Sequence, residues 1–413
     1  MSTKTTYIQT ELGLIPEDWE VKKLGEIGKI INGLTYSPEN IKENGTLVLR
    51  SSNVQNDKIV YDDNVFVEEN ISFNPTKKDD VLICVRNGSR GLIGKTALID
   101  EQASNVAFGA FMAIYRSNSN NYIYNYFKSN YFFKEVHKNL GATINSINNN
   151  DLKKFKIPIP PLPEQKKIAD CLSTWDVAIE KQSALINVLT QRKKALMQQL
   201  LTGKKRLPGF SGEWKEVKLG SLGKTYNGLT GKTKEDFGEG KPFITYMNIF
   251  SNPKINISNF EYVKMGVNEN QNKAIYGDIF FTVSSETPNE VGMASVLLDE
   301  INDLYLNSFC FGFRLNDFKN LLPEFSSYLF RNDLFRKDVY KLAQGSTRFN
   351  LSKLELMKIK IKLPSLSEQT AIAEILATAD RELTLQKEKL AQLQTQKKGL
   401  MQVLLTGKKR LLN

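Results

Sequence analysis

The sequence predicts an α+β chain: two copies of one mixed α/β domain, joined by two long antiparallel coiled-coil helices with pseudo-two-fold symmetry. Three observations predict it. Leu162 to Leu207 aligns without a gap on Leu366 to Leu411, with 23 of 46 positions identical. A shorter likeness links Trp19–Thr35 to Trp214–Thr230, where Lys23-Leu24-Gly25 returns as Lys218-Leu219-Gly220 and Asn32-Gly33-Leu34-Thr35 as Asn227-Gly228-Leu229-Thr230. Apolar residues in the first pair of segments step by four and three, the period of a coiled-coil seam. The ends of the repeat match well and its middles poorly, so one scaffold is built twice with its middles tuned to different tasks. A period of roughly 200 residues means duplicated domains, since solenoid repeats run about 20–50. The expected order is a first domain over residues 1–158, a helix over 159–207, a second domain over 208–362 and a helix over 363–413.

The first domain opens with strand-like runs at Leu47–Leu49, Val81–Val85, Thr96–Ile99 and Phe111–Tyr115, followed by an aromatic-rich helix over about Tyr122–Asn139. The second mirrors it with Phe243–Met247, Asp278–Val283, Ala294–Leu298, Phe309–Phe313 and a helix near Pro323–Leu342. The first long helix follows Pro160, Pro161 and Pro163, and the second follows Ser365-x-x-Glu368, a capping-box pattern. Gly203 and Gly407 stand where left-handed C-caps are expected, followed by cations suited to a helix C-terminus.

The first seam is Ile168, Leu172, Trp175, Ile179, Gln182, Ile186, Leu189, Lys193, Leu196 and Leu200. The second is Ile372, Leu376, Ala379, Leu383, Gln386, Leu390, Leu393, Lys397, Leu400 and Leu404. Both place Gln and Lys at the same two positions, and such polar seam residues fix register in other coiled coils. An antiparallel pairing sets Ile168 against Leu404, Leu172 against Leu400, Gln182 against Leu390, and Trp175 against Lys397, whose stem would lie over the indole. Each helix would span ~57 Å at ~1.5 Å per residue, comparable to ~17 base pairs of B-DNA at ~3.4 Å each.

The formal net charge is +11, and a soluble chain this basic commonly meets a polyanion. No run of ~18 apolar residues is present, so no membrane span is expected. The N-terminal ten residues are polar and lack a signal peptide's apolar core. Cys84, Cys171 and Cys310 are far apart and form no C-x-x-C, which fits a reducing cytoplasm and argues against a zinc site.

The loops of the two middles are rich in groups that hydrogen-bond to phosphates and base edges. In the first domain the candidates are Arg50 and Asn53; Arg86, Asn87, Ser89, Arg90 and Lys95; and Thr143, Asn145 and Ser146. In the second they are Ser284, Ser285, Thr287 and Asn289, standing in place of Arg86 to Arg90, with Thr347, Arg348 and Asn350 in place of Thr143 to Ser146. Arg suits guanine and Asn suits adenine. Any one of these residues is as well explained as ordinary loop polarity; the set, in a duplicated basic chain, favours double-stranded DNA.

Chemistry has little to stand on. His137, the lone histidine, falls on a helix without a cysteine or second histidine to join it. Gly231-Lys232-Thr233 and Gly94-Lys95-Thr96 resemble P-loop endings, but the required upstream glycine is Tyr226 in one and Ser89 in the other. No G-x-G-x-x-G, no G-x-S-x-G and no Asn/Asp-Pro-Pro-aromatic occurs. No catalytic residue and no metal ligand is expected.

The chain resembles the specificity subunit of type I restriction–modification systems. The carrying residues are Pro158 to Gln165 (Pro-x-Pro-Pro-Leu-Pro-Glu-Gln) with its counterpart Leu363 to Gln369, the paired Leu-Leu-Thr-Gly-Lys-Lys-Arg-Leu ends, and the Trp-x-x-x-x-Leu-Gly openings at Trp19 and Trp214. The second copy departs at Lys362 and Ser365, where prolines would stand. The resemblance implies two target-recognition domains, each reading one half of a split DNA target. It implies helices that set the spacer and bind two modification subunits, with two restriction subunits as a further layer. S-adenosylmethionine, ATP and Mg2+ would belong to those partners. Lys181, Gln191, Gln198, Gln199, Gln394 and Gln402 lie off the seam and are candidates for the partner face. Two rivals remain: an adaptor that never touches DNA, recognised by the absence of salt-dependent DNA binding, and an orphan DNA enzyme, recognised by activity of the chain alone.

Overall fold

The computed structural model describes residues 6–140, 145–345 and 347–411. The chain divides into two compact units, one formed by residues up to Ser183 together with those from Lys389 onward, the other by Ala184–Glu388.

In the first unit, four antiparallel strands form the frame: β1 (Lys29–Asn32), β2 (Val81–Cys84), β3 (Thr96–Leu98) and β4 (Met112–Arg116), in the order β1-β4-β2-β3. The second unit repeats it with β5 (Gly223–Asn227), β6 (Ile279–Thr282), β7 (Ala294–Val296) and β8 (Cys310–Leu315), in the order β5-β8-β6-β7. The central strands β2 and β6 are buried along their whole length, which is why they read as continuous apolar runs. A smaller mixed sheet lies beside each frame. Ala107–Phe108 runs parallel to Val48–Leu49 in one unit, and Tyr305–Leu306 parallel to Phe243–Ile244 in the other.

The shared Asn-Gly-Leu-Thr motif is explained here. A Cβ on Gly33 would lie 2.1 Å from the Gly109 carbonyl oxygen, and one on Gly228 2.1 Å from that of Asn307. Only glycine lets these backbones meet. The shared openings are explained by pairing: Glu20–Lys23 zips to Lys156–Ile159, and Lys215–Lys218 to Lys360–Leu363. Each domain's ends are thereby clipped together just before its long helix.

Where the sequence predicted one aromatic helix per domain, there are two: Asn120–Phe127 then Asn130–Asn139, and Pro323–Leu329 then Asp333–Lys341. The breaks are N-caps. Ser129 Oγ accepts the Phe132 N–H and Asn332 Oδ1 accepts the Phe335 N–H at 2.9 Å, restarting the helix. Tyr246 and Met247, expected in a strand, open a short helix instead because Thr245 Oγ1 caps Asn248 at 3.1 Å.

The long helices are α1 (Leu162–Leu200) and α2 (Leu366–Leu404). Every predicted seam residue is buried or half-buried. Ile168 and Leu172 pack with Leu400 and Leu404 in the first unit's core, while Leu196 and Leu200 pack with Ile372 and Leu376 in the second's. Within each unit the two helices run antiparallel. Glu164 and Asp176 meet Arg410 and Lys397 in the first unit, and Lys193 and Arg206 meet Asp380 and Glu368 in the second. Each fully buried leucine of this seam contributes ~1.5–3 kcal/mol. Gly203 and Gly407 both have φ +69° and end the helices as left-handed caps.

Two details of the long helices differ from expectation. The Lys397 ammonium pairs with Asp176 rather than lying over Trp175, because a nearly buried cation gains more from a carboxylate than from a ring face. Burial pushes this ammonium's pKa down, neighbouring Lys128 adds to the fall, and Asp176 opposes it. Ser365 Oγ does accept the Glu368 N–H at 3.3 Å, but the Glu368 carboxylate serves Arg206 instead of closing the capping box.

Candidate nucleic-acid interface

The predicted loops of the first unit converge. Arg86, just past β2, forms an antiparallel bridge with Ser146. The Asn87 N–H donates to the Asn145 carbonyl at 3.2 Å, and Asn145 Nδ2 returns a bond to the Gly88 carbonyl at 3.0 Å. Asn87 Nδ2 reaches Ser51 Oγ at 3.0 Å, drawing in the loop that carries Arg50. Three segments distant in sequence thus form one loop cluster. Asn87, Asn145 and Ser146 are half-buried stitches, whereas Arg86, Ser89 and Arg90 are exposed. Lys95 is half-buried, and its carbonyl accepts the Cys84 N–H at 2.9 Å. Thr143 lies outside the described residues.

Two members change role. Asn53 has no exposed surface: its Oδ1 accepts the Arg50 N–H at 2.9 Å and its Nδ2 donates to the Val60 carbonyl at 3.0 Å. It holds its own loop and cannot reach a ligand. Arg50 is half-buried and held by Asp63 at 2.7 Å, so contact with a phosphate requires it to leave that carboxylate.

The second unit builds the same cluster from other residues. Ser284 and Ser285 pair with Asn350 and Phe349, the equivalent of the Arg86–Ser146 bridge. Ser285 is 9% exposed and its hydroxyl donates to Glu290 at 3.0 Å, so it acts inside the loop rather than at its surface. Thr287, Asn289, Thr347, Arg348 and Asn350 are exposed, and Ser284 is half-buried. Arg336 clamps the loop from beneath through the carbonyls of Asn289, Val291 and Gly292, at 2.6–2.8 Å.

Sequence reasoning missed the supports of this surface. Asp80 and Asp278, each 1% exposed, receive bidentate bonds from Arg116 and Arg314. Each pair ties the start of a central strand to the end of its neighbour, and each aspartate raises its arginine's pKa. Glu164 accepts Arg410 at 2.8 and 2.7 Å and the Trp19 Nε1–H at 3.0 Å, while Arg206 holds Glu368 at 2.7 Å in the second unit. The recurrence of Trp, Glu and Arg in both copies was the available signal. Phe111 and Phe309, also missed, stand exposed beside the two loop clusters.

The partner-face candidates Lys181, Gln191, Gln199, Gln394 and Gln402 are exposed. Gln198 is taken by its own unit, donating to Asp333 at 2.9 Å.

Burial pushes the Cys84 thiol up to about 11 and the Cys310 thiol further still, so neither supplies a thiolate at neutral pH. His137 is exposed on its helix. Among the described residues no cluster of three His, Cys, Asp or Glu is placed to hold a metal, and no helix is long and apolar enough to cross a membrane.

Comparison with known proteins identifies the family. The family described as the type I restriction modification DNA specificity domain matches twice, over residues 16–191 and 211–395. A chain of Methanocaldococcus jannaschii assigned as the MjaX type I specificity subunit is 29% identical, covering 97% of this chain and 96% of that one. The EcoKI specificity subunit of Escherichia coli is 26% identical over 87% of this chain and 82% of its own. In fold, the chain is similar to the type I restriction–modification S subunit from M. genitalium, with a TM-score of 0.56, 18% identity, and coverage of 94% and 96% of the two chains. The chain therefore belongs to the type I restriction–modification DNA specificity family, whose members are the non-catalytic, DNA target-recognising subunits of these systems.

Proposed function

We propose that this chain reads a DNA target in two separate halves, one through each loop cluster, and presents that target to modification subunits bound along α1 and α2. The reading domains are residues 1–158 and 208–362, and the partner-binding segments are 159–207 and 363–413. Arg86, Ser89 and Arg90 supply exposed contacts in one half, and Thr287, Asn289, Thr347, Arg348 and Asn350 in the other. Half-buried Lys95 and Ser284 are proposed as secondary contacts, and Asn87, Asn145 and Ser146 hold the first cluster in shape. Lys181, Gln191, Gln199, Gln394 and Gln402 are proposed partner contacts. Two modification subunits carry S-adenosylmethionine; restriction subunits, where the system has them, add ATP and Mg2+. The complex acts in the cytoplasm.

One observation carries this reading. The same four-stranded frame stitches the same pair of loops together in both units, yet the side chains left exposed there differ. A duplicated frame with unlike tips suits a reader of two unlike half-sites, whereas an adaptor has no need of unlike tips.

The test is to express the chain with its modification subunits in a host free of DNA methylation and to map methylated adenines. Two short motifs separated by a fixed unread gap are expected. Exchanging residues 20–158 for those of another family member should change one half of the motif only. An uninterrupted motif, or a change in both halves, would refute the proposal.

A further inference from the structure

Phe111 is 54% exposed and Phe309 66% exposed, and packing gives no reason for either. They occupy the same place in the two units, at the turn leading into the central strands β4 and β8. Their backbones are fixed. The Phe111 carbonyl accepts the N–H groups of both Val85 and Arg86 at 3.0 and 3.1 Å, and the Phe309 carbonyl accepts the Val283 N–H at 3.1 Å. The Phe309 N–H in turn donates to Asn307 Oδ1 at 2.8 Å. Each ring therefore rises from the backbone that holds a candidate loop in place. The Arg86 guanidinium lies over the Phe111 ring, 5.5 Å from its centroid. In the second unit the Lys353 ammonium lies over the buried ring of Phe311, two residues further along β8, and reaches Asn227.

The middles of the two copies have diverged almost everywhere, so an exposed aromatic kept at the same rim position in both answers a need common to both. The exposed Arg86 guanidinium over Phe111 and the exposed Arg348 in the second unit's loop pair set this need on surfaces suited to a polyanion. The base edge that an apolar group can read in the major groove is the 5-methyl of thymine.

We infer that Phe111 and Phe309 are specificity-determining residues, each making apolar contact with a thymine methyl in the half-site read by its own unit. This rests on the proposed DNA-reading function. Arg86, held over the Phe111 ring, is then aimed at the neighbouring base or phosphate.

The experiment uses the complete chain assembled with its modification subunits and duplexes carrying the mapped target. Phe111→Ala should weaken binding about tenfold. Replacing thymine by uracil in one half-site should weaken the wild-type complex to a similar extent while leaving the Phe111→Ala complex unaffected. Phe309→Ala should behave likewise toward the other half. Both side chains are largely exposed, so unchanged melting of the variants is expected and is measured alongside. Equal affinity of wild-type and Phe→Ala complexes overturns the inference. A loss of affinity indifferent to uracil also overturns it, assigning the rings to insertion between bases. Failure of the wild-type complex to prefer its target refutes the DNA-reading proposal itself, a separate outcome.

Discussion

Replacing Arg410 by alanine tests whether the paired Arg-Glu contacts hold the domains to the helices. Glu164 is 3% exposed and receives two charge-assisted bonds from Arg410, at 2.8 and 2.7 Å. Two neutral donors also serve it, the Trp19 indole at 3.0 Å and the Leu411 N–H at 3.3 Å. The variant strips the counter-charge and leaves a buried carboxylate on the neutral donors alone. Breaking such a pair from one side costs about 3–5 kcal/mol, and the remaining donors place this case at ~3 kcal/mol. Arg410 also binds Asp18 and holds that carboxyl below its usual range, but Asp18 is exposed and its loss adds little. A protein of two units need not unfold in one step, so the effect is best read locally. Hydrogen exchange in peptides covering Trp19–Lys23 and Leu162–Leu172 should quicken roughly a hundredfold, with peptides of the second unit's frame unchanged. Combining Arg410→Ala with Glu164→Gln should cost less than the two changes summed. Exchange altered by less than about threefold, or strict additivity, would refute the idea that this pair fastens the first unit.

Two further outcomes concern backbone crowding at a glycine and stability in acid. Gly228→Ala drives a methyl into the Asn307 carbonyl and should abolish ordered folding of its domain, seen as a lost melting transition; Gly88→Ala, with open space around it, should melt as wild type. Asp303 is held down to about 2 by Lys241 and then Lys273. A depressed carboxyl adds stability that is complete above its unfolded value near 3.8 and is lost as pH falls toward about 2. Asp303→Asn should therefore flatten the acid limb of unfolding between about pH 5 and about pH 2, followed by circular dichroism, and an unaltered limb would contradict the assigned cause.

The sequence alone determined the duplication, the coiled-coil seam, the central strands and the glycine caps, because each rests on a local period or a local backbone demand. The lattice of Leu172, Leu189, Leu376 and Leu404 reads the same in a string as on a helix. Burial alternation and N-caps were only partly legible: Ser129 and Asn332 split the aromatic helices, yet each looks like one more polar residue in an aromatic run. Tertiary structure alone decided which loop residues stay exposed and which are consumed within their own loop. Asn53 and Arg86 look equally suited to DNA in the sequence, but one is consumed by its own loop and the other stands free over an aromatic ring. The partners of Asp80 and Asp278 were likewise invisible, since a buried charge is satisfied by residues that the fold brings near and that sequence spacing does not mark.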